Sequence, residues 1–391
     1  MDLDVIRADF PALKQYTWFQ NGGVSITPAP VAEEHGRLMR ELLTRGPMHI
    51  VYPDEEYPRR RQTMERLARF FAVEPGELAL MRGVSEGFQT VLRGMEWRAG
   101  DQIIITEDEE AALLLPVLHL RDLFGVEMVK VPLVDEVEGQ VRGVEECLTE
   151  RTRLVALSHV TTDLGFRLPV EGICELARER GIPTFLDMAH SVGLYPLALR
   201  ELGCDYAGLL SYKWMYAPYA SGAMYVRRER LEDLQVTYAG GRAEKWLDFE
   251  NDRYELHDTA ERFQYGPWSW PLVHSWAFSA GYLQEIGLGE IWKRTVALAG
   301  RLKRGLKEVP GAVLYTPESA ELSAALVSFG LAGWKGKELC QELRKRWNII
   351  IKPLPHTREG LRASLPFFLM EEEVDRLLEK LGKLAMERKV E

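Results

Sequence analysis

Along the first two thirds of the chain, short apolar runs alternate with amphipathic stretches. Residues 102–106 (QIIIT), 154–158 (LVALS), 184–188 (TFLDM) and 223–227 (AMYVR) have the length and apolar content of buried strands, and segments such as 169–180 have helical periodicity. That alternation predicts an α/β fold, a mainly parallel sheet covered by helices on both faces. From about Tyr238 to Pro271 the pattern breaks. Polar and aromatic residues punctuated by Gly240-Gly241 and Gly266-Pro267 predict long ordered loops there. Beyond it, helices over 291–309, 335–346 and 370–386 alternate with strands over 324–329 and 348–352, the pattern of a small α+β domain.

Composition narrows the class. A chain of 391 residues that is 46% hydrophobic can bury a sizeable core. Its net charge of -10, with both signs interspersed, offers no face for a phosphate backbone, so nucleic acid is not an expected partner. Cys147, Cys174, Cys204 and Cys340 form no C-x-x-C pair and read as reduced thiols of a cytoplasmic protein. The opening MDLDVIRADFPAL lacks the apolar run of a secretory signal, and the longest apolar stretch, 111–118, is too short to span a bilayer.

Chemistry concentrates in three places. Lys213 stands among apolar and aromatic residues in LLSYKWMYAP, where an isolated lysine would ordinarily snorkel. Upstream, the apolar run TFLDMAH ends in Asp187 and, three residues on, His190; an acid at the end of a buried strand needs a cation facing it. In MRGVSEG, Gly83, Val84 and Ser85 open a helix extending to about Leu92, where amides and a hydroxyl suit a phosphate, although serine at such a position is commonly only a cap. Pyridoxal phosphate needs all three: a lysine for its aldehyde, a helix start for its phosphate and a carboxylate for its ring nitrogen.

These residues, in the order IRADFPAL, RGVSEG, SHVTTDLGFRLPV, DMAHSVG, SYKWMYAP and LRASLPFFLMEEEVDRL, resemble the fold-type I pyridoxal phosphate enzymes of the class V aminotransferase branch, which includes cysteine desulfurases, isopenicillin N epimerase and kynureninase. The resemblance implies a three-layer transferase fold with an N-terminal segment (1–20) packed on the small domain, a large cofactor-binding domain (21–270) and a small C-terminal domain with its leading helix (271–391). It implies a homodimer with shared active sites. Residue by residue, it makes Lys213 the Schiff-base lysine, Asp187 the partner of the pyridine nitrogen and His190 the neighbour of the 3-oxygen. It places Gly83, Val84 and Ser85 on the phosphate, joined by Ser211 or Tyr212, and Arg362 on the substrate carboxylate. Asn21, in WFQNGGVS, falls where relatives pass a loop over the substrate, or is a mere turn; Trp268 shapes a substrate pocket or packs a dimer interface.

Three departures matter. Where relatives stack a histidine or aromatic residue on the cofactor, this chain has Glu110, either an acid/base group or part of a solvated acidic loop. Thr162 stands where desulfurases often have asparagine, and no cysteine lies between Asn348 and Arg362, so persulfide formation by the usual thiolate route is not expected. His35, His49, His119, His159, His257, His274 and His356 are scattered and read as structural or surface residues rather than metal ligands. The expected reaction works on the α- or β-carbon of an amino acid through a Schiff base and an α-carbanion, with amino transfer first and epimerisation or C–S/β-lysis second. A non-catalytic binding protein of the same fold is the alternative outside enzymes.

Overall fold

The computed structural model describes residues 1–354 and 358–388. His356 lies outside the described residues. Alternate residues of the central strands reach different cores: Ile103, Ile105, Leu154 and Ala156 pack in one buried cluster, and Ile104, Val155 and Leu157 in another. Side chains of a strand alternate between faces, so a strand whose successive residues all find a core is covered on both sides. The sheet has seven strands in the order Leu78–Met81, Gly222–Val226, Tyr206–Leu210, Thr184–Asp187, Thr152–Ser158, Gln102–Thr106 and Glu127–Val131. Helices Val84–Gly94 and Ala111–Phe124 contribute to the first core; Pro53–Phe71, Val170–Glu179 and Trp270–Ile286 contribute to the second.

Only Gly222–Val226 is reversed, antiparallel to both neighbours, while the other adjacent pairs are parallel. Glu127–Val131, at the sheet edge, is half-exposed and partly polar, which hides it from a search for apolar runs. Residues 238–271 differ from the predicted loops. They contain a hairpin, Glu244–Asp248 with Arg253–Leu256, whose residues lie against no core and so carry no clean alternation.

The C-terminal region builds an antiparallel sheet ordered Ala312–Leu314, Leu326–Leu331, Leu361–Ser364, Lys352–Pro353. Its core takes Leu302, Leu339, Leu343, Leu377 and Leu381 from helices Leu288–Leu306, Gly336–Trp347 and Glu371–Glu387. The preceding helix, Trp270–Ile286, packs Val273, Trp276 and Ala280 into the large-domain core instead. At the N-terminus, Thr17–Trp18 pairs in parallel with Ile349–Ile350, and Arg7 grips Glu373 with two hydrogen bonds of 2.8 and 3.1 Å.

Candidate active site

Because one strand alone is reversed, the other six deliver their C-terminal ends to one edge of the sheet, the place where open α/β sheets bind ligands. Asp187 ends its strand there, Lys213 lies three residues past Tyr206–Leu210, and Glu110 lies four past Gln102–Thr106. These three residues, with the Gly83–Ser85 turn, line one cavity of about 870 Å³.

Lys213 is buried, with Nζ 3.3 Å from His190 Nε2. The Trp214 indole N–H donates to His190 Nδ1 over 3.4 Å. Burial holds the imidazole well below its usual pKa, so it is neutral. A neutral ring that accepts at Nδ1 carries its proton on Nε2, the nitrogen that faces the Lys213 amine. Burial likewise lowers the lysine pKa, against the pull of Glu110 and Asp187. Asn21, fully buried, donates to the Lys213 carbonyl and to Tyr216 Oη, both at 3.3 Å, and so ties the N-terminal turn to the lysine loop.

The Asp187 carboxylate accepts from the Ala189 amide over 2.8 Å. Burial pushes it up to about 6, opposed by Lys213 and that amide. The Val84–Gly94 helix starts at Gly83 without a side-chain cap, leaving its first amides to the cavity, and Ser85 is exposed beside them. Gly222 lets this turn seat against the sheet, since a Cβ there would lie 2.4 Å from the Leu209 carbonyl and 3.0 Å from Gly83 Cα. Of the two residues before the lysine, Tyr212 lines the cavity, whereas Ser211 is buried and bonded to Pro218 O (2.6 Å) and Ser221 Oγ (2.8 Å).

The acidic run turns inward. Asp108 accepts from the amides of Asp163 (3.0 Å) and Leu164 (2.7 Å), and Glu109 accepts from the amides and hydroxyls of Thr106 and Ser158. Glu110 stands just before helix Ala111–Phe124 on the cavity wall, makes no capping bond to it, and accepts from Thr162 Oγ1 over 2.6 Å. Burial opposes its charge, but Lys213, the Thr162 hydroxyl, Lys352 and Arg362 outweigh it and pull the carboxyl down to about 2. The solvated-loop reading of this run does not describe the fold.

Thr162, His190 and Arg362 stand behind the lining. Arg362 is completely buried; its Nη1 donates to Thr162 O (2.6 Å) and Oγ1 (3.1 Å), and its Nε and Nη2 have no hydrogen-bond partner among the described residues. Lys352 was not singled out from the sequence. It lines the cavity and is the register partner of Arg362 across the small sheet, a juxtaposition only strand pairing reveals. Tyr265, stacked on Tyr238 and donating to Glu86 over 3.2 Å, is a second such addition. Trp268 lies elsewhere in the chain, in a cavity of about 260 Å³ with Glu56 and His274. Among the described residues no group of three or more His, Cys, Asp or Glu side chains is placed to hold a metal ion.

A buried amine facing a buried acid, an uncapped helix start and an unsatisfied guanidinium fit pyridoxal phosphate and a carboxylate-bearing substrate. The chain is similar to isopenicillin N epimerase of Streptomyces clavuligerus, with 29% identity over 83% of this chain and 84% of that protein. It is 28% identical to a probable cysteine desulfurase of Mycobacterium leprae over 97% of this chain and 95% of that one. Among solved structures, the cystine C–S lyase C-DES with its product cysteine persulfide superposes with a TM-score of 0.87, at 24% identity over 95% and 99% of the two chains. The sequence profile of the aminotransferase class-V family matches residues 21–377, and the chain therefore belongs to that family of pyridoxal phosphate-dependent enzymes.

Proposed function

We propose that this chain acts on the α-carbon of an amino acid, with amino transfer as its reaction. The observation that carries this reading is the buried Lys213 amine set beside Asp187 in one cavity. When bound, pyridoxal phosphate supplies an aldehyde that condenses with amines and a ring that takes up the electron pair left when a bond to Cα breaks. Asp187 would pair with its ring nitrogen, and the Gly83 and Val84 amides, Ser85 and Tyr212 with its phosphate. Burial keeps the Lys213 amine nucleophilic and able to take the α-proton. His190 and Asn21 hold that amine and its backbone in place. Arg362, with its buried Nε and Nη2 unpartnered among the described residues, orients the substrate carboxylate.

Desulfuration is not proposed. Cys340, the cysteine nearest the small-domain strands, donates its thiol to Ile351 O over 3.0 Å, and burial raises its pKa, so it is no thiolate. A homodimer, with Trp268 at or near the subunit contact, belongs to the same proposal.

The test is optical and covalent. The purified protein loaded with pyridoxal phosphate should be yellow, and borohydride should fix the cofactor on the peptide carrying Lys213; Lys213→Ala should lose both. A panel of amino acids with a keto-acid acceptor should then yield new keto acid. A protein that stays colourless with added cofactor refutes the enzyme reading, and release of sulfide or pyruvate alone refutes amino transfer.

A further inference from the structure

A second cavity, of about 680 Å³, shares no lining residue with the one around Lys213. It lies where the connection that follows strand Thr152–Ser158 meets the chain at 195–202, helix Val137–Cys147 and, from the C-terminal region, Glu321 and Leu322. Arg167 is the only lysine or arginine on its lining. This half-buried side chain donates from Nε to Glu321 O over 3.0 Å, and its guanidinium carbon lies 5.7 Å from the centre of the Trp292 ring. Neither of its Nη groups has a hydrogen-bond or ion-pair partner among the described residues. His159, on the same lining, is neutral: burial, and after it the Arg167 charge, bring it down to about 3. Its ring faces the Tyr195 hydroxyl, 3.3 Å from Nδ1 and 3.2 Å from Nε2. Glu171, Glu201 and Glu321 are exposed on this lining, and their carboxylates make no ion pair among the described residues.

A guanidinium with unused N–H groups is suited to a carboxylate. A simple anion is nevertheless disfavoured, because three carboxylates share the lining, and a simple amine would meet the repulsion of Arg167 and leave it unpaired. A molecule that carries both charges meets neither objection. Val141, Leu168, Leu197 and Leu322 add apolar surface, and the volume is that of a small-molecule site. We infer that this cavity is a second ligand site, separate from the one around Lys213, and that it takes an aliphatic α-amino acid as its zwitterion. Arg167 holds the carboxylate, with the Tyr195 hydroxyl as a further donor on the same lining. The glutamates hold the ammonium, and the leucines and Val141 cover the side chain. The site stands apart from the proposed α-carbon chemistry, since no residue lines both cavities.

The experiment is isothermal titration calorimetry with L-leucine on cofactor-loaded protein that borohydride has reduced, so that no exchange of amines at the cofactor contributes heat. If the protein takes up no cofactor, the same titration runs on the protein as purified, and the two readings fail separately. A binding event should appear that Arg167→Gln, which removes the charge, and Val141→Phe, which fills the cavity from another element, each weaken by about tenfold or more, and that Arg362→Gln leaves within about threefold. The analogues 4-methylpentanoate, which lacks the ammonium, and 3-methylbutylamine, which lacks the carboxylate, should each bind about tenfold or more weakly than leucine. Three results overturn the inference: no binding of leucine, binding lost in Arg362→Gln but kept in both Arg167→Gln and Val141→Phe, and either analogue binding as tightly as leucine.

Discussion

The tripeptide Asp-Glu-Glu occurs twice, at 54–56 and at 108–110, and the two copies meet opposite fates. In the first turn of helix Pro53–Phe71, Asp54 and Glu55 are exposed and Glu56 alone turns inward, bonded by Arg59 and Arg60 one turn later. At 108–110 Asp108 and Glu109 are buried and the half-buried Glu110 lines the cavity, and no arginine or lysine follows nearby in sequence. Thr106, on the preceding strand, bonds Glu109, and the other partners come from neighbouring connections: the amides of Ser158, Asp163 and Leu164, and the hydroxyls of Ser158 and Thr162. A helix satisfies its acids from its own next turn. A strand-to-helix connection at a sheet edge meets unpaired donors of neighbouring connections, and acids are drawn in to meet them. Neighbouring carboxyls then diverge: burial pushes Glu109 up to about 8, while the facing cations hold Glu110 at about 2.

The sharpest test of that contrast is the pH dependence of stability. Glu109 has a folded pKa raised above its ordinary 4.5 to about 8, so between those values the folded protein keeps a proton that the unfolded chain has lost. Its contribution is complete below pH 4.5 and falls as pH rises toward 8. Urea midpoints should show this fall in the native protein and a flatter profile in Glu109→Gln; parallel profiles would mean that Glu109 is ionised when folded. Next in size, Asp108→Ala strands two buried amides, those of Asp163 and Leu164, at a cost of about 2–5 kcal/mol in chemical denaturation. It should also lower activity by loosening Thr162 beneath Arg362. The smallest effect belongs to the helical copy. Glu56→Ala should cost about 2 kcal/mol, less than for a fully enclosed pair, because Arg59 and Arg60 retain access to water. A cost above that of Asp108→Ala would reverse the comparison.

Much of the site was legible because its chemistry is local to strand ends. Asp187 ends an apolar run, Gly83–Ser85 opens a helix, and Lys213 interrupts an apolar stretch, so periodicity and residue type together pointed to one cofactor. Lys352 was not legible, since its partnership with Arg362 is a cross-strand register between residues with no pattern of their own. Nor was the choice between Ser211 and Tyr212, which depends on which side chain the turn aims at the cavity. The hairpin at Glu244–Leu256 escaped because exposed strands have no core to enforce alternation.

By itself, then, the sequence determined the α/β alternation, the family and the lysine, acid and helix start that line one cavity, because these follow from short-range periodicity and from residue types that are costly to bury without a purpose. Only the tertiary structure decided where the acidic run at 108–110 went. Apart from Thr106, its donors lie about fifty residues away in the chain, on neighbouring connections of the sheet, and whether a carboxylate faces water or a buried amine depends on that packing.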